Sequence, residues 1–192
     1  MKTILSLHGL MSSGEHGTAK ALSSLKNVTV IAPDIPLDAH EAIALITELC
    51  HRHQPDLIVG NSMGCMFAHQ MHGFKKLLIN PAFHVSQSIR KKIGEHKFLK
   101  ARADGATTCF FTLSLSDSYE EVEKHQFDDI SASDRSNTYA LFGGLDTVAN
   151  CYEEFCLYYD ASNAEFFNGT HRLSEAQKYT ILLPKVRHIL GI

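Results

Sequence analysis

The sequence predicts an α/β fold: a mostly parallel central sheet of about six strands flanked by helices, with an insertion after the fourth strand. Three observations lead there. Short, nearly continuous apolar runs alternate with longer amphipathic stretches, which is the pattern of strands buried on both faces of a sheet. The chain has 192 residues with 44% hydrophobic content, enough for one well-buried domain spanning 1–192 and short for two. A glycine-framed serine, Gly60-Asn61-Ser62-Met63-Gly64, sits where an apolar run gives way to a helix-prone one.

In chain order, strands are expected near Thr3 to Leu7, Val28 to Ala32, Asp56 to Gly60, Lys76 to Asn80, Thr138 to Phe142 and Glu165 to Phe167. Helices are expected over Glu15 to Leu25, Ala39 to His53, Met63 to His72, Val148 to Tyr158 and Ser174 to Leu190. Ala42, Ile43, Leu45, Ile46 and Leu49 make the clearest apolar stripe. Ser174 with Gln177 has the form of a capping box. Residues 81–137 are the least regular. A basic amphipathic piece around Ser86 to Lys100, an apolar run from Cys109 to Leu113 and an acidic stretch from Asp117 to Asp129 make either a cap over a site or a pair of solvated surface helices.

Composition narrows the partners. There are 18 basic and 21 acidic residues, a net of -3, and no basic run longer than Arg90-Lys91-Lys92, so no nucleic-acid partner is expected. No apolar run approaches the roughly 20 residues of a membrane span. The first residues read as a buried strand and not as a signal peptide. Five cysteines without C-x-x-C spacing indicate neither a disulfide framework nor a zinc site, and a reducing cytoplasm fits them best.

The glycine-framed serine has the strand, sharp turn and helix of a nucleophile elbow, which needs small residues two before and two after the serine because neighbouring backbone presses there. Ser62 then stands at the end of a strand and the start of a helix, with the Met63 N–H free to bind an anion. An ordinary strand-to-helix turn with glycines for close packing has the same short pattern. A serine hydroxyl needs a base, and the base a third group that fixes its tautomer. His171 is the one histidine of twelve on a loop between the last strand and the last helix. His69, His72 and His188 lie on helices and read as packed or surface residues. Asp146 closes the glycine turn after the strand Thr138 to Phe142, where it can orient His171, cap the following helix, or do both. Asp117, Asp128, Asp129 and Asp160 rank lower. A second anion donor is expected from the loop after the first strand, at the N–H of Leu10, with His8 bracing that loop.

Together these segments resemble the small single-domain bacterial esterases of the YqiA/YcfP type within the α/β-hydrolase fold. The resemblance covers nearly the whole chain. It rests on Leu7-His8-Gly9 with Ser12-Ser13, Pro33 to Leu37, Gly60 to Gly64, Asn80-Pro81-Ala82, Gly144 to Val148 and Gly169-Thr170-His171. It implies Ser62, Asp146 and His171 at the triad positions and Leu10 and Met63 at the oxyanion positions. The chain departs from the pattern at Asn61, Met63, Cys65 and Leu145, which bears on substrate fit. The expected activity is hydrolysis of a small-molecule ester or acyl substrate, thioesters included, with no metal or organic cofactor. The alternative is a ligand-binding protein that keeps the triad without meaningful turnover. Phe83, Phe110, Phe111 and Phe127, with Met63 and Met66, are either an apolar acyl pocket or plain core.

Overall fold

A computed structural model describes all 192 residues. Six strands, β1 (Lys2–Leu7), β2 (Val28–Ile31), β3 (Leu57–Asn61), β4 (Lys76–Ile79), β7 (Thr138–Gly143) and β8 (Ala164–Phe167), form one sheet in the order β2-β1-β3-β4-β7-β8. All five pairings are parallel. Each strand of the sheet therefore ends on the same edge, and the loops after β1, β3, β7 and β8 gather there.

Alternation along the strands divides the core in two. Leu5, Leu7, Ile58, Leu78, Ala140 and Phe142 point to one face, Ile4, Leu57, Val59, Leu77, Ile79 and Leu141 to the other. The second face is covered by α1 (Gly17–Leu22) and by the carboxyl-terminal helix α9 (Leu183–Leu190). The first is covered by α2 (Ala39–His53), α3 (Met63–Ala68) and α7 (Tyr152–Tyr158). Helix α2 starts where Asp38 accepts the backbone N–H groups of His40 and Glu41, and it buries Ala39, Ala42, Ile46 and Cys50, one stripe at helical spacing.

Several boundaries differ from the sequence expectation. Helix α3 stops at Ala68, four residues before His72, and α7 begins at Tyr152, because Val148 to Asn150 stay in the turn that Asp146 organises. The last helical stretch has the Ser174–Gln177 capping box, with α8 (Glu175–Gln177) running through a π-helical turn, Lys178–Leu182, into α9.

The insertion is not a pair of surface helices. After α4 (Val85–Arg90) the chain forms an antiparallel hairpin, β5 (Gly94–Lys97) with β6 (Thr108–Phe111), then α5 (Leu113–His125) and α6 (Ala132–Asn137). Helix α5 packs on α4 and α2 and buries Leu115, Tyr119 and Val122. Most acidic residues of that stretch lie on its outer face, and Glu123 turns inward, where it accepts the Ser86 N–H at 2.7 Å. The hairpin tip reaches back over the loop after β1, where Leu99 N–H donates to the Met11 carbonyl at 2.8 Å.

His69 and His16 are buried as neutral rings. His69 accepts from the Tyr159 hydroxyl at Nδ1 (2.8 Å), and its Nε2–H donates to Gln126 Oε1 (3.1 Å). His16 lies 3.3 Å from the Ser6 hydroxyl. Burial pushes both pKa values down to about 3. In the unfolded chain an imidazole titrates near about 6.5, so between about pH 6.5 and 3 the unfolded state binds more protons and stability falls as pH falls. The two rings together are expected to cost about 4 kcal/mol by pH 5. Thermal melting at pH 7 and pH 5 checks this, and a melting temperature equal at both would refute it.

Candidate active site

The strand β3 runs into a sharp turn at Ser62. Ser62 has φ 52° and ψ -116°, a strained conformation for a residue with a side chain, and it is held there on both sides. Its N–H donates to the Ile79 carbonyl (3.0 Å), and its own carbonyl accepts the N–H of Cys65 (2.9 Å) and Ala82 (3.3 Å). The two framing glycines are required by close approach. A Cβ on Gly60 would stand 2.7 Å from the Gly64 carbonyl oxygen, and one on Gly64 only 2.4 Å from that of Leu7. The sequence pattern is thus explained by packing of β1, β3 and α3 around the turn.

The loops after β7 and β8 are stitched together by backbone. Gly144 N–H donates to the Phe167 carbonyl (2.8 Å) and Leu145 N–H to that of Gly169 (2.9 Å). This brings Asp146 against His171, with Asp146 Oδ2 2.7 Å from His171 Nδ1, and His171 Nε2 lies 2.8 Å from Ser62 Oγ. A carboxylate only accepts, so Nδ1 carries the ring proton and Nε2 is left to accept from the serine hydroxyl. The Asp146 side chain is 5% exposed and that of His171 16%, so the pair is largely shielded and the histidine is its more open member. The other carboxylate oxygen, Oδ1, accepts Val148 N–H (2.7 Å) and Ala149 N–H (3.2 Å). Asp146 therefore contacts His171 as expected but does not cap the following helix, which starts only at Tyr152; its second oxygen holds a turn instead.

Leu10 lies in the loop after β1, and its N–H has no acceptor in the chain. Met63 is the first residue of α3, where helix geometry leaves an N–H unpaired. His8 braces this loop as anticipated. Its Nδ1–H donates to the Gly9 carbonyl (2.8 Å) and its Nε2 accepts Ile35 N–H (3.0 Å), an arrangement that needs the neutral ring, and burial lowers its pKa accordingly. Asp34 adds a second tie, accepting Gly14 N–H (2.7 Å) from the same loop and Ala103 N–H (2.6 Å) from the hairpin tip.

The other sequence candidates lie elsewhere. Asp117 and Asp128 pair with Arg90 and His125 on the surface, His188 is exposed on α9, and His72 contacts Asp134. Phe83, Phe111, Met63 and Met66 are core, Phe127 stacks on Tyr158, and Phe110 is 59% exposed. A surface cavity of about 290 Å³ lined by Thr47, Cys50, His51 and Gln70 lies between α2 and the segment after α3, with none of the site residues in its wall. Asp34 and Asn80 were not assigned a role from sequence; for Asn80 the adjoining Pro81 at the end of a buried strand was the available signal.

An all-parallel sheet with a strained serine after β3, and an acid and a histidine after the last two strands, defines a protein of the α/β-hydrolase fold. The chain belongs to the Uncharacterised protein family UPF0227, which matches residues 3–180. Solved structures agree on the fold. MGS-MChE2, an α/β hydrolase from a sediment metagenome of the Mar Chica lagoon, is 14% identical with TM-score 0.67, covering 100% of this chain and 92% of that one. One of the metagenome-derived lipolytic enzymes LipS and LipT is 15% identical with TM-score 0.65, covering 99% and 94%. The thioesterase domain from the curacin biosynthetic pathway is 13% identical with TM-score 0.62, covering 98% and 91%. No curated protein gives a significant match.

Proposed function

We propose that this protein is a serine hydrolase that cleaves carboxylic esters, thioesters included, through an acyl-enzyme on Ser62. The observation that carries the reading is the unbroken hydrogen-bonded run from Asp146 through His171 to Ser62. In the first half-reaction His171 Nε2 takes the serine proton as Oγ attacks the acyl carbon. The imidazolium that forms is stabilised by Asp146, then gives its proton to the departing alcohol or thiol. In the second half-reaction His171 draws a proton from water, which attacks the acyl-enzyme, and the imidazolium then returns that proton to Ser62 Oγ as the acid leaves. The N–H groups of Leu10 and Met63 receive the negative charge on the acyl oxygen in both tetrahedral intermediates. Among the neighbours of like fold, one is described as lipolytic and one as a thioesterase domain, which supports acyl transfer as the reaction class.

Covalent labelling by a fluorophosphonate tests the reading, since it needs both an activated serine and a formed anion pocket. Stoichiometric labelling of the native protein on Ser62 is the expected result. No labelling, with ester turnover at the buffer rate, would leave a ligand-binding protein on this scaffold.

A further inference from the structure

We propose that Asn80 is a positioning residue that sets the distance between His171 and Ser62, and this rests on the triad reading above. Asn80 directly follows β4, is almost wholly buried, and has φ 46°, a backbone conformation that a short polar residue tolerates better than a bulky one. Its side-chain amide reaches both loops that carry the acid and the base. Nδ2 donates to the His171 carbonyl (2.8 Å) and to that of Thr170 (3.1 Å), while Oδ1 accepts Gly143 N–H (2.6 Å) at the root of the Asp146 turn. Its backbone N–H continues the pairing with β7 through the Leu141 carbonyl (2.9 Å).

The residues on either side of Asn80 in this segment also hold the serine. Ile79 accepts Ser62 N–H, and Ala82 donates to the Ser62 carbonyl. The segment from Ile79 to Ala82 is thus a common reference from which the nucleophile is placed by backbone bonds and the histidine loop by one carboxamide. No other residue type of this size meets the demand. Aspartate keeps an acceptor for Gly143 but turns an anion toward two carbonyl oxygens, and glycine suits the backbone but leaves both carbonyls without this donor. The amide touches no reacting atom. It acts by fixing the His171 backbone so that the imidazole meets Ser62 Oγ without search.

The test compares Asn80→Gly and Asn80→Asp with the wild type, counting working sites by fluorophosphonate labelling and measuring kcat per labelled site, KM and the pH dependence of kcat/KM on a p-nitrophenyl ester. Displacing a catalytic group by about 1 Å costs roughly 10²-fold, so kcat per labelled site is expected to fall by about that factor in both variants. KM is expected to change little, and the midpoint of the acidic limb to move. A merely structural role would lower the number of labelled sites and leave both kcat per site and the midpoint alone. That outcome in Asn80→Gly overturns the proposal, as does the same outcome in Asn80→Asp if the glycine variant does not fold. Failure of both to fold also overturns it, by assigning the amide to stability of the sheet edge. A fully active Ser62→Ala would instead sink the triad reading itself, whatever Asn80 does.

Discussion

Ser62→Ala is expected to lower turnover of a p-nitrophenyl ester by on the order of 10⁶-fold, with a melting curve close to that of the wild type. The size follows from what is lost: without Oγ there is no acyl-enzyme, and neither His171 nor the anion pocket has a covalent step to assist. Residual rate above buffer would come from the pocket alone. The fold should hold because the hydroxyl makes one hydrogen bond, to His171, whereas the strained backbone is held by Ile79, Cys65 and Ala82, which alanine leaves intact. Wild-type turnover in this variant would rule Ser62 out as nucleophile. His171→Ala is expected to fall to a similar level, since the two residues act as a unit and their losses do not add.

The largest expected effect on stability lies far from the site, at the start of β4. Lys76 and Asp134 form an ion pair at 2.6 Å with side chains 0% and 2% exposed. Burial pushes the Asp134 carboxyl upward, but bonds from Lys76, Ser131 and the Gly73 N–H outweigh it and hold the group well below the usual carboxylate range. Burial in turn lowers the pKa of Lys76, against the pull of Asp134. The two partners are not equivalent. Asp134 keeps donors from Ser131 and Gly73 if Lys76 is lost, while the Lys76 ammonium has no other acceptor. Asp134→Ala is therefore expected to cost about 3–5 kcal/mol, and Lys76→Met clearly less. Denaturant unfolding of the two variants checks the order. Equal losses, or a larger one for Lys76→Met, would show that the pair is not what holds this corner.

Regular elements and the turn at Ser62 were legible because their signals are local. The ends of β1, β3, β4 and β7 fall within a residue or two of the apolar runs, since these inner strands are largely buried on both faces. The hairpin β5–β6 was not legible. Its outer face carries Glu95, Lys97, Thr108 and the exposed Phe110, and its inner face His96, Cys109 and the buried Phe111, so apolar residues fall on both faces of β6 without alternation, and the basic residues before it read as one amphipathic piece. The shortening of α7 was hidden for a different reason. Asp146 directs its second oxygen to the N–H groups of Val148 and Ala149, neither of which breaks a helix by residue type, and that carboxylate holds them in a turn.

The site divides along the same line. Gly60, Ser62 and Gly64 can be read from five consecutive residues because the constraint is local backbone crowding, and His171 and Asp146 can be ranked by their places after particular strands. What depended on tertiary structure was whether these groups meet. Ser62 and His171 are 109 positions apart, and their contact rests on backbone bonds between two loops and on the carboxamide of a residue in a third. Asn80, Asp34 and the Lys76–Asp134 pair owe their roles to partners that arrive only when the sheet closes. Periodicity and turn chemistry are set by neighbours in the chain and survive in one dimension, whereas hydrogen-bond geometry is set by neighbours in space and exists only in three.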